Sequence, residues 1–338
     1  MTRPTIHDVA RTAQVSLATV DRVLNKRGGV AEKSVRKVLE AVETTGYVRD
    51  LTAANLSRGR EYKFTFLVPN NETGFMGLVR EALDAQRAAL RAQRVKLKII
   101  AVPAFDAAAQ AAALAQLSPR STNGVAAFVS EAPEVQVELA RLKAEGLPVV
   151  TFVSDLPRTQ RDAYVGPDNV VAGRTAASFM GRFVGDRRGA ILMIAGSLAA
   201  RDHMERVMGF RMVMTERFPK LKLLAAVQGF DCADTVRTLT QHAMREGPIA
   251  GIYAVGAGRR GLFDALRDSP ERPVIIAHDL TPSARTALMR HELDLVIDQN
   301  PAAEVQTAIT FMRDLSDQRP INPASGNVPL NIYVRENI

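Results

Sequence analysis

Thr5-Ile-His-Asp-Val-Ala-Arg-Thr-Ala-Gln-Val-Ser-Leu-Ala-Thr-Val-Asp-Arg-Val-Leu-Asn-Lys-Arg27 reads as two short helices joined by a tight turn. Thr5 is placed to cap the first helix, with Asp8 three residues on as the acidic partner of a capping box. Val9, Ala10 and Ala13 then share one face, and the helix is expected to end near Gln14. Ser16 caps a second helix running to about Asn25, with Val20, Val23 and Leu24 inward and Leu17, Ala18, Asp21 and Arg22 outward. A third helix fits 32–45, with Val35, Val38, Leu39 and Val42 on its apolar face and Gly46 as its stop. Three short helices with a tight first turn make a helix-turn-helix unit.

Such a unit can lay its second helix in the major groove of double-stranded DNA, with the N-terminal residues at base edges. Arg22 can offer guanine two parallel hydrogen bonds, and Leu17 and Ala18 could meet a thymine methyl. Thr5, Ser16, Thr19 and Asn25 carry groups suited to phosphates. Charge agrees with this placement. Residues 1–60 hold 11 Lys and Arg against six Asp and Glu, so they carry five of the eight excess positive charges of the 338-residue chain. A basic segment of this kind suits nucleic acid or an acidic membrane surface.

The motif T-I-x-D-V-A-x-x-A-x-V-S-x-x-T-V-x-R-V-L-N closely resembles the headpiece of the LacI/GalR family of bacterial repressors. The resemblance implies that Leu17, Ala18 and Arg22 read bases and that a hinge helix follows. Asp21 stands where the family usually has a small hydroxyl residue, so it is expected to contact Arg22 or a cytosine amine. The hinge would be Leu51-Thr-Ala-Ala-Asn-Leu-Ser-Arg-Gly-Arg60, too short to be a stable helix alone. By resemblance it orders on DNA and inserts Leu56 into the minor groove; an apolar wedge there unstacks and kinks the duplex. Ala53 and Ala54 are small enough for close approach. Arg49-Asp50 replaces the Pro-Asn usual after the family's tyrosine.

From Lys63 the pattern changes. Apolar runs at 64–68, 97–102, 124–129 and 148–153 alternate with helical stretches, the first of them 76–92. The alternation restarts at 189–194, 222–227, 251–255 and 273–277. This is the signature of parallel sheets covered on both faces, in two lobes, with ligand expected outside the carboxyl ends of the strands. The architecture looks like the periplasmic-binding-protein-like sensor of the same family. Tyr164-Val-Gly-Pro-Asp-Asn-Val-Val-Ala-Gly-Arg174 would mark the way into the second lobe. The expected domains are a headpiece at 1–49, a hinge at 50–61 and an effector-binding domain at 62–338. Its first lobe would span about 62–162 and 299–325, its second about 163–298 and 326–338.

Candidate ligand contacts follow the strands. Phe75 could stack on a sugar ring or fill the lip of the core. Asp155, in Ser154-Asp-Leu-Pro157, is either a hydroxyl acceptor or a turn residue, since the family's acidic position falls on Val153. By resemblance, Arg206 matches the family's ligand arginine, and Asp279 and Gln299 map onto ligand-contacting positions. Phe230 is a further stacking candidate. Val255-Gly-Ala-Gly-Arg-Arg-Gly261 replaces the family's frequent Asn-Asp. It reads as an anion-binding loop before a helix or simply as a tight turn.

The rest narrows the class. No HExxH, G-x-S-x-G, Walker loop or Cys/His cluster is present, and the five histidines are scattered without metal spacing, so no enzyme, metal or cofactor is expected. There is no apolar 18-residue run and mean hydropathy is −0.04, so no membrane partner is expected. One cysteine and no apolar leader fit the cytoplasm, at the nucleoid, and speak against a transport receptor of the same fold. The expected partners are operator DNA, a sugar-like effector and a second copy of the chain in a homodimer.

Overall fold

A computed structural model describes residues 4–24, 29–47, 61–71, 74–156, 160–269 and 272–338. The expected phosphate contact Asn25 and the hinge residues Ala53 and Leu56 lie outside the described residues. The chain divides into two compact units, Met1–Glu61 and Tyr62–Ile338.

In the first unit, α1 (Ile6–Ala13), α2 (Leu17–Leu24) and α3 (Glu32–Thr45) close around Val9, Ala10, Ala13, Val20, Val38 and Ala41. The backbone N–H and hydroxyl of Thr5 both donate to the Asp8 carboxylate, at 2.9 and 2.7 Å, which fixes the start of α1. Gln14 takes a left-handed conformation (φ 53°) and ends it. Two residues later the Ser16 hydroxyl accepts the Thr19 N–H at 3.1 Å and starts α2. One expectation fails. Leu39 is 52% exposed, and Ala41 takes the inward position. Val38, Ala41 and Val42 share the stripe that reaches α1, and Leu39 lies to its side.

The second unit holds two sheets. The first has order β2-β1-β3-β4-β5, all parallel: β1 (Tyr62–Pro69), β2 (Val95–Val102), β3 (Gly124–Ala127), β4 (Val149–Phe152) and β5 (Ala163–Val165). Helices α4 (Phe75–Ala92), α5 (Ala107–Ala115) and α6 (Pro133–Ala144) connect them. Apolar cores lie on both faces of this sheet, which is why its strands read as unbroken hydrophobic runs.

The chain then leaves through α7 (Asn169–Val184) into a sheet of order β12-β11-β10-β9-β6-β7. Its strands are β6 (Ala190–Ala195), β7 (Lys222–Leu223), β8 (Val227–Gln228), β9 (Ile249–Ala254), β10 (Val274–His278), β11 (Leu295–Asp298) and β12 (Asn331–Tyr333). The connecting helices are α8 (Arg201–Arg217), α9 (Ala233–Glu246), α10 (Arg259–Leu266) and α11 (Pro282–Met289). The run 222–227, read as one strand, is two short pieces on β6, pairing at Ala190–Ile191 and Ile194–Ala195. β12, which had no apolar run to announce it, pairs antiparallel with β11 at the edge.

Three segments pass between the sheets. After β5 the chain crosses at Gly166; after β11 it returns to α12 (Pro301–Ser316), which packs on the first sheet; after Gly326 it crosses again to β12. The first and third crossings are zipped together: Gly166 N–H donates to Gly326 O and Val328 N–H to Gly166 O, both at 3.0 Å. The expected lobe boundary at 162–163 needs correction. β5 pairs with β4, so residues 163–165 belong to the first sheet.

Helices α7 and α8 pack almost backbone to backbone. A Cβ at Gly173 would lie 2.0 Å from Arg206 O, and one at Gly209 would lie 2.1 Å from Val170 O. That approach sets the height of Arg206 against Asn169, the first residue of α7. Gly173→Ala is expected to destabilise the protein by about 3 kcal/mol, as overpacking of a closed contact does, read as a lower midpoint in urea unfolding. A change within ~0.5 kcal/mol, the size of an ordinary surface substitution, would show that the two helices separate freely.

Candidate functional site

Both sheets change strand direction of growth at one place, between β1 and β3 in the first and between β6 and β9 in the second. The carboxyl ends of those strands face a cavity of about 340 Å³. Asn71, Phe75, Phe128 and Ser130 line it from the first sheet, and Ser197, Arg206, Val255 and Asp279 from the second. A topological switch point is where an open α/β sheet leaves room for a ligand; here two such points share one space.

Five residues named from sequence meet there: Phe75, Arg206, Phe230, Asp279 and Gln299. Asp155 does not. Its carboxylate is bound on both oxygens by Arg161, through Nε and, at 2.6 Å, through Nη2, and it also accepts from Thr151 Oγ1 and Leu156 N–H. It is a turn-fixing residue. Val153 and Ser154 take the wall position instead. Phe105, Phe128, Asp202, His203 and Asp231 also line the cavity and were not anticipated, and Arg259 reaches it from the basic loop 255–261. Their shared signal is position one to ten residues beyond a strand end, which the apolar runs themselves mark.

Arg206 is the centre of the site. It is 2% exposed, donates from Nε to Asn169 Oδ1 at 2.8 Å and from Nη2 to Gln299 Oε1 at 2.6 Å. Gln299 passes the line on, donating from Nε2 to Asp279 Oδ1 at 2.7 Å. Burial pushes the Asp279 carboxyl up to about 6, with Arg206 and the Gln299 hydrogen bond pulling the other way. Behind it, burial holds Glu304 well above the usual carboxylate range, and neither of its oxygens has a hydrogen-bond partner among the described residues. Burial, with Arg206 nearby, also keeps His278 well below its ordinary value, so its ring is neutral; Nε2 meets the Tyr253 hydroxyl at 2.7 Å.

The loop 255–261 is not open to an anion. Asp231 Oδ1 already accepts the Ala257 N–H at 2.7 Å. Arg259 turns away and donates to the His278 carbonyl and, at 2.9 Å, to Thr281 Oγ1. The glycines serve packing: a Cβ at Gly261 would lie 1.7 Å from Ala233 O. Of the readings open for this loop, the tight turn is the one the contacts support.

Backbone strain gathers at the same wall. Phe105, Val153, Phe230, Asp231 and Asp279 all line the cavity with φ between 50° and 68°. Val153 is the costliest, because a β-branched side chain fits that region badly. Its carbonyl is held by the Tyr164 hydroxyl at 3.0 Å and Asn169 Nδ2 at 3.5 Å.

In the head, Leu17, Ala18 and Arg22 lie exposed on α2, with Leu17 40% exposed. Ser16 and Thr19 share a 2.9 Å hydrogen bond between their hydroxyls at its start. The Thr5 hydroxyl is directed to Asp8. Among the described residues no group of three or more His, Cys, Asp or Glu could hold a metal ion, and no helix is long and apolar enough to cross a membrane.

Residues 5–50 match the bacterial regulatory proteins of the lacI family, and residues 64–320 match the periplasmic binding protein domain. The chain belongs to the lacI family, with a periplasmic binding protein domain behind its headpiece. It is 26% identical over 215 residues to the HTH-type transcriptional regulator DegA of Bacillus subtilis (strain 168). That match covers 63% of this chain and 61% of DegA, less than two thirds of that relative's length. GanP, a glucose-galactose binding protein from Geobacillus stearothermophilus, shares the fold at TM-score 0.73 and 18% identity over 82% of this lacI-family chain and 99% of GanP. A putative LacI transcriptional regulator from Bacteroides fragilis does so at TM-score 0.72 and 17% identity, over 82% and 98%.

The titration of Asp279 has a measurable sign. The unfolded chain holds that proton only below about 3.8, the folded protein up to about 6. Between these values the folded state binds more protons, so the contribution of Asp279 to stability is full below pH 3.8 and is lost as pH rises through 6. Asp279→Asn, which cannot ionise, is expected to gain stability relative to the parent by roughly 2–3 kcal/mol between pH 4 and pH 7 in urea unfolding. A difference that stays flat with pH would show that the carboxyl is solvated in the fold.

Proposed function

We propose that this lacI-family protein is a sequence-specific DNA-binding transcriptional regulator, acting as a repressor, whose effector is a small sugar, polyol or sugar derivative held between the two lobes. The observation that carries the reading is the Arg206 line. One buried guanidinium joins α8 to Asn169 at the first crossing and to Gln299 at the second. A ligand that alters this line changes how the lobes are held together. DegA's name as a transcriptional regulator supports the DNA-directed half, and GanP's as a glucose-galactose binding protein supports the sugar class.

Under this reading the face of α2 carrying Leu17, Ala18 and Arg22 enters the major groove. Ser16, Thr19, Thr5 and Asn25 stand at phosphates, and the hinge at 50–61 offers Ala53 and Leu56 to the minor groove. Two copies act as a homodimer on a two-fold symmetric operator, one head per half-site, in the cytoplasm at the nucleoid. Phe75 and Phe230 stack on the effector, and Asp279, Gln299 and Arg206 hold its polar groups. Effector binding is coupled to operator binding by about 1–3 kcal/mol, reciprocally.

Fluorescence anisotropy with an operator selected from random sequence tests both halves. Arg22→Ala is expected to lower the preference for operator over random DNA by about tenfold or more, the loss of one bidentate base contact. An undiminished preference removes Arg22 from the reading surface. Arg206→Ala is expected to keep operator affinity and lose the effector response. A normal response in that variant moves the effector site away from the cleft.

A further inference from the structure

Asp202, the second residue of α8, is 3% exposed and lines the cavity. Its Oδ1 is buried with no hydrogen-bond partner among the described residues. Its Oδ2 lies 3.8 Å from His203 Nε2, beyond hydrogen-bond reach. The other ring nitrogen of His203, Nδ1, accepts the Ser197 N–H at 3.2 Å. The start of α8 offsets part of the carboxylate's charge but leaves its oxygens without donors.

Among the described residues no hydrogen bond or ion pair joins either guanidinium of the wall to Asp202. Arg206 is turned to Asn169 and Gln299, and Arg259 to the His278 carbonyl and Thr281. Asp231 has the Ala257 N–H. Among the described residues the cavity thus sets three carboxylates (Asp202, Asp231, Asp279) against two guanidiniums, and the one with no donor is Asp202. A buried charge is costly unless it is paired. Hydroxyls alone would give Asp202 hydrogen bonds but leave its charge standing between aromatic walls. Sugar acids and phosphates would add to the excess. A volume of about 340 Å³ sits at the small end of ligand pockets and suits one monosaccharide-sized molecule.

We propose that the effector of this site is a hydroxylated amine of monosaccharide size, whose ammonium group sits on Asp202 while its apolar face lies against Phe75, Phe105 and Phe230. The inference rests on the reading of the cleft as the effector site and goes beyond it by giving the ligand a charge. It makes Asp202 the specificity residue that tells an amine from its neutral parent.

The test uses the full chain and thermal-shift titration with matched probes on the gluco, galacto and manno frames. Each frame supplies the neutral hexose, the 2-amino-2-deoxy sugar, its N-acetyl form and the uronic acid; 1-amino-1-deoxysorbitol against sorbitol adds an open-chain pair. On at least one frame the free amine is expected to half-saturate at a concentration about tenfold or more below its neutral parent and its N-acetyl form, the scale of one charge pair with a desolvated carboxylate. Asp202→Asn and, as a second variant, Asp202→Ser are expected to erase that advantage. Should no amine outperform its parent on any frame, a total lack of binding included, the proposal is overturned; so it is if the advantage survives both variants. A neutral or acidic probe that is preferred, and whose binding is lost in Arg206→Ala, overturns the amine yet keeps the cleft as the effector site. Binding indifferent to both Asp202 and Arg206 overturns the two together.

Discussion

The guanidinium of Arg206 is the point on which the effector domain turns. It is removed from water and held at both ends by amides, Asn169 at the first passage between lobes and Gln299 at the second. Neutral partners accept two of its hydrogen bonds without cancelling its charge. That charge is felt by Asp279, whose ionised form it favours, and by His278, whose protonated form it opposes. The close packing of α7 on α8 exists for the same reason: without glycine at 173 and 209 the helices could not bring Asn169 level with Arg206. Position, charge and lobe connection therefore share one side chain.

Around that hub the cavity wall is unusually tense. Residues with left-handed backbone recur where several strand ends turn into the cleft, and the most constrained, Val153, stands beside the first passage. This concentrates strain where a ligand would act. The head shows the opposite character. Its helices are capped by local hydrogen bonds from Thr5 and Ser16, and a small apolar core fixes how the outward face of α2 is presented.

Much of this was legible in the residues. Strands buried on both faces become continuous apolar runs, so β1, β6, β9 and β10 could be read directly. The caps of α1 and α2 were equally plain, because capping is local chemistry. What escaped was long-range. β12 is a short edge strand with a polar start, recognisable only beside β11. Asp155 read equally as a hydroxyl acceptor or a turn residue, and only the distant Arg161, which occupies its carboxylate, decides for the turn. Asp202 and His203 sit on a helix of mixed polarity and acquire meaning only when the cleft brings them opposite Phe105 and Phe128. Leu39 shows the limit of periodicity itself, since a helix stripe leaves two neighbouring angles open and only the partner helix decides.

The position of α12 bears on how the protein is made. Tyr62, Phe64 and Phe66 open the effector domain, yet the core they enter is completed by Val305, Ile309, Phe311 and Met312, some 240 residues later. A ribosome releases the strands of the first lobe long before the helix that covers them. Through most of synthesis that core has only α4, with Met76, Val79 and Leu83, on the face that α12 will share. Both lobes wait for the end of the chain: α12 completes the first core, and β12 (Asn331–Tyr333) then completes the edge of the second sheet.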